Sequence, residues 1–194
     1  MFAVLFAGFS ALGVWQVQRL LWKQDLIRQV DARIHAAPAA APPPGQVVTR
    51  QADQYRRVVV SGRFDHEREV RVKAVTDLGP GYWVLTPLTT DRGFTVLINR
   101  GFVPPERQNP ADRAAGQVED KVRVVGLLRL TEPDGGFLRA NDPAGDRWFS
   151  RDVTAIASAK GVRAPVAGYF IDADAAPNPC GWPRGGLTGV RFAN

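Results

Sequence analysis

The first 14 residues carry no charge, and this apolar stretch is the feature that most constrains the fold. A helix needs about 20 apolar residues to cross a bilayer. Counting on through Leu21 brings the stretch close to that length. A signal-peptide core and a buried helix are the alternatives. A signal peptide would need positive charge before the apolar stretch, and none is present there. The sequence therefore predicts a transmembrane helix.

The residues after the apolar stretch are typical of a membrane–water interface. Trp15 and Trp22 carry amphipathic rings that favour the headgroup level, and Arg19 and Lys23 can extend their charges towards water. Together with Gln16, these side chains are predicted to set the depth of the helix or to contact a partner. The cations follow the stretch, so the positive-inside rule places the rest of the chain in the cytoplasm.

Three segments are predicted up to residue 186. Residues 1–35 form the transmembrane helix and a juxtamembrane helix, in which Leu26, Ile27, Val30 and Ile34 recur at helical spacing. Residues 36–46, which include AAPAAAPPPG, end the helix and make a semi-rigid linker. Residues 47–186 form a β-rich domain.

Short alternating segments bounded by turns indicate the strands of this domain. They are YRRVVVSGRF, EREVRVK, GYWVLTPLTT, FTVLINRGFV, KVRVVGLLRL and VAGYFIDAD. The turn Asp91-Arg92-Gly93 predicts a hairpin, and Gly126 suggests a bulge. Asp152 and Gly161 bracket a short helix. The predicted fold class is mainly β (α+β): a small antiparallel barrel or sandwich with one short helix, preceded by a transmembrane helix that runs into an amphipathic one.

Composition disfavours several classes of function. The net charge is +6 with a pI near 10.1, but arginines alternate with acidic residues, which indicates a solvated surface and no nucleic-acid partner. Cys180 is the one cysteine, and His35 and His66 are the two histidines, so neither an internal disulfide nor a metal site is expected. His66 is expected to be solvated. Neither a nucleophilic motif nor a carboxylate pair stands out, so no enzyme is predicted and no catalytic residue is assigned.

Two segments, GYWVLTPL and NRGFVP, are more distinctive. Tyr82, Trp83, Arg100 and Phe102 within them are interpreted as core or rim residues, or alternatively as a docking face for a partner.

Six segments occur in the order seen in the Surf1/Shy1 family of cytochrome oxidase assembly factors, which the chain resembles. They are LGVWQVQRLLWKQDLI, YRRVVVSGRF, GPGYWVLTPL, GFTVLINRGFVP, RWFSRDVTAIA and GLTGVRFAN. The resemblance implies two membrane helices, with residues 187–194 leading into the second. It also implies a β-rich domain on the periplasmic or intermembrane-space side, opposite to the charge count. Since no Arg/Ser-rich transit segment comes before the helix, the predicted location is the periplasmic side of a bacterial inner membrane.

The function implied by this resemblance is assembly of an aa3-type haem–copper oxidase, through haem a insertion or stabilisation of subunit I. The implied partners are subunit I, other assembly factors and the membrane. The chain is expected to hold no cofactor stably, and the resemblance implies transient contact with haem a. A haem a carrier and an unrelated membrane-tethered β-barrel enzyme are the alternatives. A pocket lined by paired carboxylates would favour the enzyme, and a filled barrel would disfavour it.

Overall fold

The protein was analysed as a computed structural model, which describes residues 1–136, 139–163 and 165–186. The predicted lead-in at residues 187–194 lies outside the described residues. The described helices are α1 (Phe2–His35), α2 (Arg50–Asp53) and α3 (Val153–Ala159). Short 3-10 turns occur at His66–Arg68, Pro105–Arg107, Pro110–Gly116 and Pro179–Gly181.

Helix α1 is continuous through both predicted helical segments. Large apolar side chains along it, including Phe9 and Trp22, are exposed. Its end contacts the β-rich domain, because Val30 is buried and the Arg33 guanidinium donates a 3.4 Å hydrogen bond to the Gln54 carbonyl. Among the described residues, no helix combines the length and the apolar character that a membrane crossing requires. The predicted transmembrane span is therefore not confirmed.

Six of the described strands follow the alternating segments of the sequence, and the first strand lies within the predicted linker. They are β1 (Ala39–Ala40), β2 (Arg57–Phe64), β3 (Val70–Thr76), β4 (Gly79–Thr90), β5 (Thr95–Val103), β6 (Val122–Leu130) and β7 (Val166–Ala173). The predicted hairpin is confirmed, since β4 and β5 pair antiparallel around a turn in which Gly93 has a φ of 79°. The predicted helix is confirmed as well, with the Asp152 carboxylate accepting a 3.1 Å hydrogen bond from the Ala155 N–H.

Five strands close into a barrel in the order β2-β4-β5-β7-β6, because β2 pairs with both β4 and β6. Four of the neighbouring pairs are antiparallel, whereas β5 and β7 are parallel. A closed ring with an odd number of strands cannot alternate direction all the way round. The prediction of a purely antiparallel sheet is therefore wrong at this pair. Strands β1 and β3 extend the sheet outside the ring, on β2 and β4 respectively.

Alternating side chains give the barrel two cores, because successive residues of a strand face opposite sides. The interior is filled mainly by Val58, Val60, Leu88, Phe94, Val96, Ile98, Leu128, Tyr169 and Ile171. On the outer face, a second core forms from Val70, Val72, Leu85, Leu97, Trp148, Val153, Ile156 and Phe170. Helix α3 contributes Val153 and Ile156 to this outer core, so it covers one side of the barrel.

Two sequence interpretations need correction. Within the predicted linker, Ala41 is buried, and the Pro42 carbonyl accepts a 2.6 Å hydrogen bond from the Tyr169 hydroxyl, so this segment belongs to the barrel. Gly126 is not a bulge, since its pairing with β2 and β7 is regular. A Cβ there would lie 2.2 Å from the Asp172 carbonyl oxygen, so the close approach of β7 requires glycine.

Candidate functional site

Polar side chains interrupt the outer core where β5, β6 and β7 lie side by side. The buried Asp172 carboxylate accepts hydrogen bonds from Asn99 Nδ2 at 2.8 Å and from Arg129 Nη1 at 2.8 Å. Arg151, just before α3, adds a third from Nη1 at 3.3 Å. Burial raises the pKa of Asp172, although the charges of Arg151 and Arg129 oppose that shift.

A second carboxylate completes this arginine cluster. Arg151 Nε donates a 2.9 Å hydrogen bond to Glu132 Oε2, and Arg129 lies 3.8 Å from the same carboxylate. Burial opposes ionisation of Glu132, but the hydrogen bonds and charge of Arg151 outweigh it and lower the pKa. Both carboxylates are thus engaged by arginines. The cluster joins α3 to the sheet, and neither carboxylate is free to act as a general base.

A buried ion pair links the start of β3 to the turn Pro110–Gly116. Arg113 and Glu69 form two hydrogen bonds between the guanidinium and the carboxylate, one of them 3.1 Å long. Both side chains are almost fully buried, at 1% and 3% exposure. Arg113 Nε also donates to the Arg107 carbonyl at 3.1 Å. The pair therefore fixes the long connection between β5 and β6 against the barrel.

Arg100 lies next to this pair at a bulge in β5. Val84 pairs with Gly101 and Leu85 pairs with Asn99, which leaves Arg100 as the extra residue. Gly101 has a φ of 128°, and a Cβ there would lie 2.1 Å from the Arg184 carbonyl oxygen. Only glycine fits this position without displacing the neighbouring chain.

The guanidinium of Arg100 is buried and makes no ion pair of its own among the described residues, although the charges of Glu69 and Arg113 act on it. It donates a hydrogen bond to the Gly116 carbonyl, lies 4.8 Å from the centre of the Phe64 ring, and approaches His66 Nδ1 at 3.5 Å. Burial lowers the pKa of Arg100 to about 10. Beside it, a cavity of about 190 Å³ opens at the end of the barrel.

His66 is half-buried, which corrects the expectation that it is solvated. Its Nε2 lies 2.9 Å from the Val118 carbonyl, so Nε2 carries a proton and Nδ1 faces Arg100. Burial lowers the pKa of His66, and the charge of Arg100 acts in the same direction. Both ring nitrogens are therefore engaged within the protein. The described part of the chain contains no group of three or more His, Cys, Asp or Glu residues that could hold a metal ion.

Comparison with known proteins identifies the family. A sequence model of the SURF1 family matches residues 3–194. The chain belongs to the SURF1 family. Surfeit locus protein 1 of Homo sapiens is 38% identical, over 94% of this chain and 65% of the human protein. The Xenopus tropicalis protein of the same name is 37% identical, over 97% of this chain and 64% of that protein.

A third relative gives the same result, since a SURF1-like protein of Monosiga brevicollis is 37% identical over 94% of this chain and 73% of that protein. The resemblance inferred from the sequence segments is thus confirmed. The chain spans less than two thirds of the length of the human and Xenopus SURF1 proteins.

The four residues predicted as a docking face of this SURF1 protein do not share one surface. Phe102 is fully buried, and its ring centre lies 5.9 Å from that of Trp83 in an edge-on contact. Arg100 is only 4% exposed. Tyr82 is half-buried and lines a separate groove that also includes Lys73. Phe102 is thus a core residue, and Trp83 packs against it from a half-buried position.

The five interfacial residues predicted on the N-terminal segment all lie exposed on α1: Trp15, Gln16, Arg19, Trp22 and Lys23. The Arg19 guanidinium carbon lies 5.2 Å from the centre of the Trp15 ring, a cation–π contact. These two side chains therefore form one amphipathic unit on the helix surface.

Sequence reasoning missed the arginine–carboxylate clusters. Asp172 carried one available signal, since it is a charge placed at the end of an otherwise apolar strand segment, whereas Glu69 stands among other charged residues. Charged residues are almost never fully buried unless they are paired. Their partners Arg151 and Arg113 lie in irregular segments with no periodicity to mark them.

Proposed function

We propose that this SURF1 protein is a membrane-anchored assembly factor for an aa3-type haem–copper cytochrome oxidase, acting at haem a insertion into subunit I or stabilising subunit I during biogenesis. The observation that carries the proposal is the match of residues 3–194 to the SURF1 family. Subunit I and other assembly factors are the proposed partners.

The barrel supports a role without catalysis. Apolar side chains fill its interior. The buried carboxylates Asp172 and Glu69 are held by arginines, and the cavity beside Arg100 is not lined by paired carboxylates. A filled barrel disfavours the membrane-tethered enzyme, which would need a free acid or base at a cavity.

Helix α1 supports attachment to a bilayer. Exposure of its apolar side chains to water would be unfavourable. They are followed along the helix by Trp15, Arg19, Trp22 and Lys23, residue types that favour the membrane–water interface. We propose that the first part of α1 lies in the inner membrane of a bacterial cell, with the barrel on the periplasmic side. Such tethering would raise the effective concentration of the barrel near membrane-embedded oxidase subunits.

Haem a enters this proposal as the cargo of assembly. His66 does not fit a stable haem ligand, because both of its ring nitrogens are engaged, and His35 lies exposed on α1, outside the barrel and its cavity. A haem a carrier would instead retain the cofactor itself. Purified protein with a haem a absorption band that survives washing would favour the carrier over the assembly scaffold.

The decisive experiment is deletion of the gene in the native cell, followed by quantitation of haem a and CuB in the oxidase left behind. We expect the oxidase to be depleted of haem a, and the intact gene to restore it. A Cys180→Ser version is a suitable control, because this exposed thiol has no part in the proposal. Normal haem a content after deletion would contradict the proposed function.

A further inference from the structure

We propose that the cavity beside Arg100 binds a carboxylate carried on a small apolar group. This site is independent of the proposed assembly role. It rests on the shape of the cavity, the composition of its walls and the charge buried at its inner end.

The cavity is lined by residues of β2, β5 and β6, by the end of β7 and by the segment that follows β7. Its volume is about 190 Å³, and its walls include Phe64, Ile98, Val122, Val124 and Pro177. A closed apolar cavity of about 150 Å³ is large enough for benzene. The volume therefore suits a ring or a branched chain of a few carbons, and the walls favour an apolar one.

Arg100 supplies the charge at the inner end of this cavity. Its side chain is buried, yet none of the ion pairs between described residues includes it. The carboxylate whose charge acts on it, that of Glu69, is already held by two hydrogen bonds from Arg113. Arg100, Arg113 and Glu69 together leave one positive charge without a counter-ion. A buried charge of this kind is costly unless it is paired.

The outer rim of the cavity adds a second cation. Arg123 is exposed, lines the cavity and takes part in no ion pair among the described residues. Asp174 also lines it, but the Arg57 guanidinium neutralises that carboxylate at 2.7 Å. Arg123 at the rim thus attracts an anion towards the cavity, and the buried guanidinium of Arg100 can bind that anion.

A singly charged carboxylate fits these features better than a doubly charged phosphate. Only one uncompensated guanidinium, that of Arg100, is buried; a second negative charge would have to rely on Arg123, whose exposed charge attracts it only weakly. Arg100 has five N–H donors, of which the contacts with Gly116 and His66 use two, so the remaining donors can bind a carboxylate. The free acid and the C-terminal residue of a peptide present the same group, and the experiment separates them.

The test uses the full chain in detergent micelles, titrated with 3-methylbutanoate and with the uncharged 3-methylbutanamide. We expect the carboxylate to bind at least about tenfold more tightly, since a charge-assisted hydrogen bond is worth about 1.4 kcal/mol more than a neutral one. Two dipeptides, acetyl-Ala-Val with a free and with an amidated C-terminus, show whether a peptide end can also enter. Equal binding of acid and amide, or binding of neither, would overturn the proposal.

Variants place the binding in this cavity. Val124→Phe fills it from a half-buried position on β6, and we expect it to abolish binding while the protein still unfolds cooperatively. Arg123→Gln should weaken binding about threefold, the size of an exposed charge effect. Arg163→Gln removes an exposed arginine that does not line the cavity and should leave binding unchanged. Undiminished binding by Val124→Phe would exclude the cavity, and this failure would leave the proposed assembly role standing.

Discussion

Glu69 neutralises the guanidinium of Arg113 and lies close enough to influence that of Arg100. Its negative charge therefore offsets part of the positive charge of these two buried arginines. Changing it to glutamine keeps the shape but leaves two buried cations with no carboxylate. We predict that Glu69→Gln lowers the free energy of unfolding by about 3–5 kcal/mol, as expected when one partner of a buried pair is removed. Urea denaturation followed by circular dichroism measures this change.

The neighbouring Glu67→Gln is the matched control for this prediction, because Glu67 is exposed and belongs to the same 3-10 turn region. It should change stability by less than about 0.5 kcal/mol. If Glu69→Gln proved as mild as its control, the ion pair would not hold the β5–β6 connection as the structure indicates.

His66 gives a prediction about pH. Burial lowers its pKa below the ordinary value of 6.5, and Arg100 and Arg113 lower it further, against the Val118 hydrogen bond and the charge of Glu69. As pH falls, the unfolded chain therefore binds a proton before the folded chain does. The contribution of His66 to stability is complete above pH 6.5 and is lost as pH falls towards the folded-state pKa.

The change His66→Gln keeps a donor for the Val118 carbonyl but removes the titrating group. We predict that the melting temperature of this variant falls less than that of the parent between about pH 7 and pH 5. Thermal melts across that range measure the slope. His35→Gln, at an exposed position on α1, should keep the parent slope. An identical slope for His66→Gln would show that the histidine is not held as described.

At the scale of elements, α1 carries the prediction most directly tied to the proposed function. Trp15→Ala combined with Arg19→Gln removes the cation–π unit on its surface. We predict a fall of about two- to fivefold in haem a content of the oxidase at equal protein level, because an exposed contact of this kind is worth about 0.5–1 kcal/mol. Absorption spectra of isolated membranes give the content.

Arg28→Gln is the control on the same helix, since Arg28 is exposed and pairs only with Asp25 among the described contacts. It should leave haem a content unchanged. Normal haem a content in the Trp15/Arg19 variant would discard the idea that these side chains set the depth of the helix or contact a partner.

How far the elements follow from the sequence depends on whether their cause is local. The β4–β5 hairpin was predictable because turn chemistry at residues 91–93 decides it, and α3 was predictable because Asp152 caps it. The bulge at Arg100 was not, since it depends on how β4 meets β5. The Asp172 cluster needs partners 21 to 73 residues away in the chain, and no periodicity records such contacts.

At the scale of the whole molecule, closure of the barrel decides which pairs are parallel and where the domain begins. The parallel β5–β7 pair follows from the odd number of strands, which alternation within single segments does not reveal. The sheet also extends beyond the closed ring into chain that composition assigned to a linker. Proline and alanine predicted a spacer at residues 36–46, but β1 pairs with β2, so the structural boundary lies closer to the end of α1.

This boundary can be tested with two fragments, residues 36–194 and 47–194. The longer one keeps β1, the buried Ala41 and the 2.6 Å hydrogen bond from the Tyr169 hydroxyl to the Pro42 carbonyl. The shorter one leaves that buried hydroxyl without its acceptor. We predict that it is less stable by about 2–4 kcal/mol, from an unsatisfied polar group and lost apolar burial. Urea denaturation of both fragments measures the difference.

Tyr169→Phe separates the hydrogen bond from the rest of this effect. In the longer fragment the change removes a bond made to Pro42 and should cost about 1 kcal/mol. In the shorter fragment the same change removes a hydroxyl that has already lost its acceptor, so it should be neutral or stabilising. Equal stability of the two parent fragments would return residues 36–46 to the role of a spacer, and β1 would then add nothing to the stability of the barrel.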